Sequence, residues 1–355
     1  MLDRTHPAPV DQGEMLVPRG QEKVRQKQLW RVDPSSRDGV RSDMSLLENA
    51  SVSAGTKESY RRQMGEFMKR ENVGNINCEA SELDQKLVSH FDRLYLEGKG
   101  FSAGQKLLAA LLFFLPVYGS AGRLNLPRAQ RALRGWKKRR PGTTRRPLPW
   151  CVICGIALDL TLRGFAQMAI CWLLMVDCYL RPSECVNLTA IQVVARQKGR
   201  GMSSTALHLN PDYLMRPSKT GELDESVLVS RSWIGEMLEV LARRKAPTSR
   251  MWNFDLAALR QQFLVSAAKS GVKFLKPVLY MGRHSGASLD RLEHRYSLEE
   301  VRKRGRWRSA ASVSRYEKRA LVQDVLRRMR VSDRAFCQRA ERVLEGVLKR
   351  GLRIA

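Results

Sequence analysis

From Arg128 to Arg146 the chain carries nine Lys or Arg and no Asp or Glu, with Pro141-Gly142 near the end of the run. Like charges at that density resist burial, so the stretch divides the chain into bodies that fold around separate cores. It reads as an extended connection. Three roles stay open for it: a strand that tracks phosphates, a nuclear import signal at Lys137–Arg140, or a solvated tether. At 355 residues the chain exceeds one average domain and is short for three.

Four segments follow from this division. Residues 1–48 hold eight basic and eight acidic residues, several Pro and no sustained periodicity, and read as a flexible arm. Residues 49–136 read as a small helical domain. Tyr60, Met64, Phe67 and Met68 share one face at helical spacing, as do Leu83, Leu87, Phe91, Leu94 and Tyr95, and Ser102 is placed to cap a third helix through Leu107, Leu111 and Phe114. Residues 137–147 form the basic linker, and 148–355 the second domain. There Phe165–Leu180 reads as an apolar helix, Ala206–Leu209 and Glu225–Val229 as strands around a turn at Pro217–Gly221, and Ile234–Leu241, Leu256–Ala267 and Leu321–Met329 as helices. A last helix puts Phe336, Val343, Leu344, Val347 and Leu348 on one face, either to dock on a neighbouring subunit or to pack on its own domain. The fold class is mainly α with a small antiparallel β-sheet.

Charge narrows the partners. Sixty-three Lys and Arg against 35 Asp and Glu leave +28, which points to a polyanion, first of all nucleic acid. With 43% hydrophobic residues a packed core is available and wholesale disorder is excluded. The apolar stretches Leu107–Leu115 and Met168–Val176 are too short for a bilayer span of about 20 residues and read as buried helices. No apolar secretory leader is visible in Met1–Gly20. Seven irregularly spaced Cys read as reduced thiols, which places the chain inside the cell: the nucleus of a eukaryote, or the cytoplasm or nucleoid of a bacterium. Cys151 and Cys154 form one CxxC without a second ligand pair, so no metal site is expected.

Four clusters in the second domain carry candidate chemistry. Arg181 ends the apolar helix three residues before Glu184; it is either a surface ion pair or a bidentate phosphate donor held by a carboxylate. Lys219 sits at the tip of the expected hairpin, in Ser218-Lys219-Thr220-Gly221. Tyr280, Arg283 and His284 precede Ser285-Gly286-Ala287, small residues that permit close helix packing. Gly305-Arg306-Trp307 is followed by Tyr316, nine residues after Trp307, which is either the polar handle of a core residue or a nucleophile.

In this order the clusters resemble the tyrosine recombinase (phage integrase) family, whose pattern is Arg-x-x-Glu, a β-turn Lys, His-x-x-Arg, a His or Trp, and a Tyr. The matching positions are Arg181 with Glu184, Lys219, Tyr280 with Arg283, Trp307 and Tyr316. Tyr280 departs from the pattern, which has His there; Tyr donates a hydrogen bond but is not cationic near neutral pH. The resemblance implies a core-binding domain at 49–136 and a catalytic domain at 148–355. It also implies a DNA recombinase or integrase, as in mobile elements, acting as a homo-oligomer, a tetramer on double-stranded DNA. The alternatives are an inactive DNA-binding relative, a type IB topoisomerase-like relaxing enzyme, or a basic RNA-binding helical protein.

The implied roles are chemically coherent. Arg181 and Arg283 offset charge on the non-bridging oxygens of a five-coordinate phosphorus without a metal. Tyr316 attacks phosphorus to leave a 3′-phosphotyrosyl bond, Lys219 protonates the departing 5′ oxygen, and Trp307 packs beside the phosphate and donates its indole N–H. Tyr280 orients the phosphate, while Glu184 and His284 support the set. Since the phosphotyrosyl bond retains the energy of the broken linkage, no cofactor is needed, and no GxxxxGK[ST] loop is present. Lys137, Lys138, Arg139, Arg140, Arg145 and Arg146 are expected along the DNA backbone.

Overall fold

The computed structural model describes residues 44–73, 79–142, 145–197, 199, 201, 203–212, 224–309 and 319–354. The flexible arm expected at 1–48 lies outside them up to residue 43, as do the Pro217–Gly221 turn, Lys219 and Tyr316. The chain divides into two compact units, with one boundary between Thr144 and Arg145.

In the first unit, α1 (Leu46–Ala50) is a short turn closed by a reciprocal Ser45–Glu48 capping box. Then come α2 (Ala54–Arg70), α3 (Ala80–Leu96), α4 (Phe101–Phe114) and α5 (Pro127–Arg139). Each sends an apolar stripe inward, so that Phe67, Leu83, Leu87, Phe91, Leu107, Leu111 and Trp136 form one core. α4 is capped by the extended Gly100 and not by Ser102, which lies inside its first turn; Phe101 thereby sets its ring 6.5 Å from that of Trp136.

α5 corrects the extended reading of the basic run. Ala129, Leu133 and Trp136 are buried, and with Ala132 they stand at i, i+4, i+7 and i+3 on one helical face. Pro127 opens the helix, and the buried Asp84 carboxylate accepts the backbone N–H of Arg128 at 2.9 Å and of Ala129 at 2.7 Å. That satisfies two orphan donors and sets a negative charge at the positive end of the helix. Lys137, Lys138 and Arg139 form its exposed last turn.

The second unit is built around α7 (Ala166–Asp177), which is buried along its whole length except at Gln167 and is apolar from Met168 to Val176. α6 (Trp150–Leu162) packs against it. The expected helix to Leu180 stops at Asp177, because Tyr179 turns into the left-handed region (φ 48°) and Pro182 cannot continue a helix. Pro182 instead opens α8 (Pro182–Val186). A three-stranded antiparallel sheet follows in the order β1-β2-β3, with β1 Val193–Val194, β2 Ala206–Leu209 and β3 Glu225–Leu228. Leu207 lies opposite both Val193 and Val227. Helices α9 (Ser232–Arg243), α10 (Leu256–Lys269), α11 (Met281–Leu292), α12 (Leu298–Arg304), α13 (Arg319–Arg328) and α14 (Val331–Ile354) complete the unit.

The α14 stripe is not a free docking face. Of its expected residues, Leu344 and Leu348 are buried with Cys337, Ala340 and Leu352 in the core of their own unit, Phe336 and Val347 pack half-buried against it, and Val343 is exposed. α6 shows no polar face to solvent and needs a cover, which α14 supplies. Among the described residues, six cysteines are free and buried, and no helix is long and apolar enough to cross a membrane.

Candidate functional site

The turn after α7 places the first candidate. Arg181 precedes Pro182, which holds it in extended backbone (φ −69°, ψ 146°) as the N-cap of α8. Glu184, at the third helical position, accepts the Arg181 backbone N–H at 2.8 Å and also takes its guanidinium Nη1. The Arg-x-x-Glu spacing thus reflects a carboxylate that caps a helix start and holds the side chain of the capping residue.

α11 places the second. Gly286 lets the helix press against α7, since a Cβ there would stand 1.9 Å from the Val176 carbonyl oxygen. This close approach drives Arg283 into the interior at 1% exposure. There its Nη1 donates to the Tyr179 carbonyl and its Nη2 to that of Gly305. The Nε–H has no hydrogen-bond partner among the described residues. Burial, then the neighbouring Arg306, push the Arg283 pKa down to about 10, so it is still a cation at neutral pH.

The end of α12 places the third. Trp307 N–H bonds to the Arg302 carbonyl at 3.1 Å and Arg306 N–H to that of Lys303 at 2.9 Å, a Schellman closure with Arg306 at its left-handed position (φ 53°). Gly305 is required because the Trp307 indole folds back to within 1.9 Å of where its Cβ would be. The indole stacks on Tyr179 at 6.0 Å, and the Arg283 guanidinium lies 4.7 Å from its ring centre. Tyr179 in turn donates its hydroxyl to the buried Asp290, whose carboxyl is pushed up by burial.

Arg306, with Glu225 and Tyr179, is what sequence order does not single out. Its side chain is 6% exposed, its Nη2 donates to Glu184 Oε2 at 2.7 Å, and its Nε lies 3.4 Å from Glu225 Oε2. Burial by itself raises the Glu184 pKa; Arg306, the Arg181 N–H and the Arg181 guanidinium outweigh it and hold the carboxyl below its usual range. Arg306 Nη1 is buried with no hydrogen-bond partner among the described residues. An unfilled buried donor costs about 1–3 kcal/mol, more when charged. A run of basic residues, Arg302, Lys303, Arg304, Arg306 and Arg308, hides Arg306 in the sequence.

Arg181, Glu184, Arg283 and Trp307 therefore come together. Tyr280 stands beside them, half-buried, its ring 5.0 Å from that of His284 and 5.1 Å from the Arg145 guanidinium. Lys219 and Tyr316 lie outside the described residues, but Glu225, six residues after Lys219, reaches the cluster, and Trp307 is part of it. Of the expected backbone contacts, Arg146 is ion-paired to Asp324, and Arg140 lies 5.4 Å from the Tyr95 ring centre and donates to the Lys99 carbonyl at 3.1 Å. Among the described residues no His, Cys, Asp or Glu group is arranged to hold a metal.

No protein-family model matches the chain, and no curated protein does. Solved structures similar to it include XerH site-specific recombinase bound to palindromic difH substrate in a post-cleavage complex, at 14% identity, 71% of each chain and TM-score 0.49. They also include XerH bound to difH in a pre-cleavage complex, at 15% identity, 74% of each chain and TM-score 0.49. XerA recombinase is similar at 13% identity over 79% of this chain and 94% of that one, with TM-score 0.36. All three are recombinases, none above 15% identity with this chain.

Proposed function

We propose that the second unit is a DNA strand-breaking and rejoining centre of the tyrosine recombinase type. The observation that carries this reading is the meeting of Arg181 and Arg283, two guanidinium groups from distant parts of the chain, at one buried cluster where Arg283 keeps an N–H unfilled among the described residues. Such donors are preorganised for a phosphate: held in place by Glu184 and two backbone carbonyls, they need little rearrangement as negative charge grows on the non-bridging oxygens.

The chemistry then runs as follows. Tyr316 loses its phenolic proton to solvent or a base and forms a bond from its oxygen to phosphorus. The bond from phosphorus to the 5′ oxygen breaks, and Lys219 supplies the proton that makes this a 5′-hydroxyl. The strand is left joined to the protein through a 3′-phosphotyrosyl ester. Attack by a 5′-hydroxyl reverses each step, so religation consumes no nucleotide. Trp307 packs its ring against Arg283 and fixes the plane of that guanidinium. Double-stranded DNA is the partner, drawn by the +28 charge, and exchange between two duplexes calls for several copies of the chain together.

A second reading, DNA binding without cleavage, is favoured by Tyr280, which brings no cation to its position. One experiment separates the two. The protein is mixed with a pool of nicked duplexes of random sequence and denatured, and covalent protein–DNA adducts are counted. Adducts that vanish in Tyr316→Phe support strand transfer; none from the unaltered protein supports binding alone.

A further inference from the structure

We infer that Arg306 is a third guanidinium of the anion site and donates from Nη1 to a non-bridging oxygen of the same phosphate that Arg181 and Arg283 contact. The inference rests on the phosphate chemistry proposed above and adds a residue to it. Three observations support it.

The first is geometric. The guanidinium presents five N–H donors in a rigid fork. In Arg306 the Nη2 edge is spent on Glu184 at 2.7 Å, and Nε lies near Glu225 at 3.4 Å without hydrogen-bond geometry. Nη1 is buried and unbonded among the described residues. An arginine serving only to neutralise Glu184 has no need to carry a buried, unfilled Nη1 into the cluster.

The second is charge. Among the described residues, Arg181, Arg283 and Arg306 face two carboxylates, Glu184 and Glu225, one positive charge in excess. Arg306 is also the neighbour that most strongly opposes the charge on Arg283, as expected when guanidinium groups are gathered without a full set of counter-ions. An anion entering between them relieves that repulsion.

The third is backbone. Arg306 occupies the left-handed position of a Schellman closure at φ 53°, where glycine sits without strain. The closure does not require an arginine, so the side chain is what the position adds. The same feature provides a variant without backbone strain at this position, since Arg306→Gly removes the guanidinium and relaxes the turn, while Arg181 is still bound to Glu184.

The test uses the full chain and inorganic phosphate as the probe, titrated by calorimetry at constant ionic strength. Unaltered protein is expected to bind phosphate saturably, Arg306→Gly at least tenfold more weakly, and Arg308→Gln, two residues away, as the unaltered protein does. Arg306→Lys keeps a charge for Glu184 but loses the fork; several-fold weaker binding is expected with an unchanged thermal melt, which a merely structural role would not produce. Unaltered affinity in Arg306→Gly and Arg306→Lys, or no saturable phosphate binding by the unaltered protein, overturns the inference. If phosphate binding falls as expected but no covalent DNA adduct forms, the anion site stands and the strand-transfer reading falls.

Discussion

Glu184 accepts Arg306 Nη2 at 2.7 Å, and its other oxygen takes the Arg181 guanidinium. One carboxylate thus fixes two cations that stand far apart in the second unit's sequence. Glu184→Gln keeps the shape and removes the charge, leaving both guanidinium groups short of a counter-ion. Breaking a largely buried pair costs about 3 kcal/mol. A fall of that size in denaturant-unfolding free energy is expected, and a loss under 1 kcal/mol would show that the clamp is not under load.

The packing of α11 on α7 makes a second prediction. Gly286→Ala drives a methyl into the Val176 carbonyl and the Tyr179 ring, and overpacking of this kind costs about 1–3 kcal/mol. Gly65, in the interior of α2, has nothing within 4 Å of its missing Cβ. Gly65→Ala is therefore expected to stabilise by about 0.5–1 kcal/mol. The two shifts, read from urea midpoints, should have opposite signs.

The first unit should weaken in acid. His90 is buried beside Glu71, its Nδ1 3.2 Å from the carboxylate. Burial lowers its pKa, and the Glu71 hydrogen bond only partly offsets this. The unfolded chain, with a pKa of about 6.5, takes up the proton first. Stability from this group is therefore full above about pH 6.5 and is lost as pH falls from there through the lowered folded value. His90→Gln should flatten the dependence of melting temperature on pH between 7 and 5; an unchanged slope would assign the acid sensitivity to other groups.

Whether the end of α5 contacts DNA is open to a salt titration. Lys137, Lys138 and Arg139 end α5 in the open, whereas Arg140 is engaged with Tyr95 and the Lys99 carbonyl. Replacing the first three with Gln should weaken duplex binding and reduce the slope of log K against log salt by up to about 0.9 per lost phosphate contact. Replacing Arg140 alone should change the slope less. Equal slopes in the triple variant and the unaltered protein would remove this turn from the DNA contact.

Legibility in the sequence followed the range of the forces involved. Strand-like composition on either side of a turn-prone segment placed β2 at Ala206–Leu209, and helical spacing placed α2, α3 and α10, because local signals suffice for those elements. It failed at α5, where six of the nine like charges fall and the apolar stripe is only Ala129, Ala132, Leu133 and Trp136, two of them alanines. The α14 stripe was visible, but what it covers was not, since its partner α6 shows no periodicity of its own. Within the site, Arg181, Glu184, Arg283 and Trp307 were found by order along the chain. Arg306 and Glu225 acquire meaning only when the end of α12 and the start of β3 meet, a contact that no local pattern announces.

The central claim, that this cluster activates a phosphodiester toward Tyr316, is tested most directly by counting covalent DNA adducts on nicked duplexes across four proteins. The account predicts adducts from the unaltered chain, none from Tyr316→Phe, and a rate lower by about 10²–10³ in both Arg181→Ala and Arg283→Ala with most duplex affinity retained. Adducts that persist in Tyr316→Phe, or that form at an undiminished rate without either arginine, would contradict it.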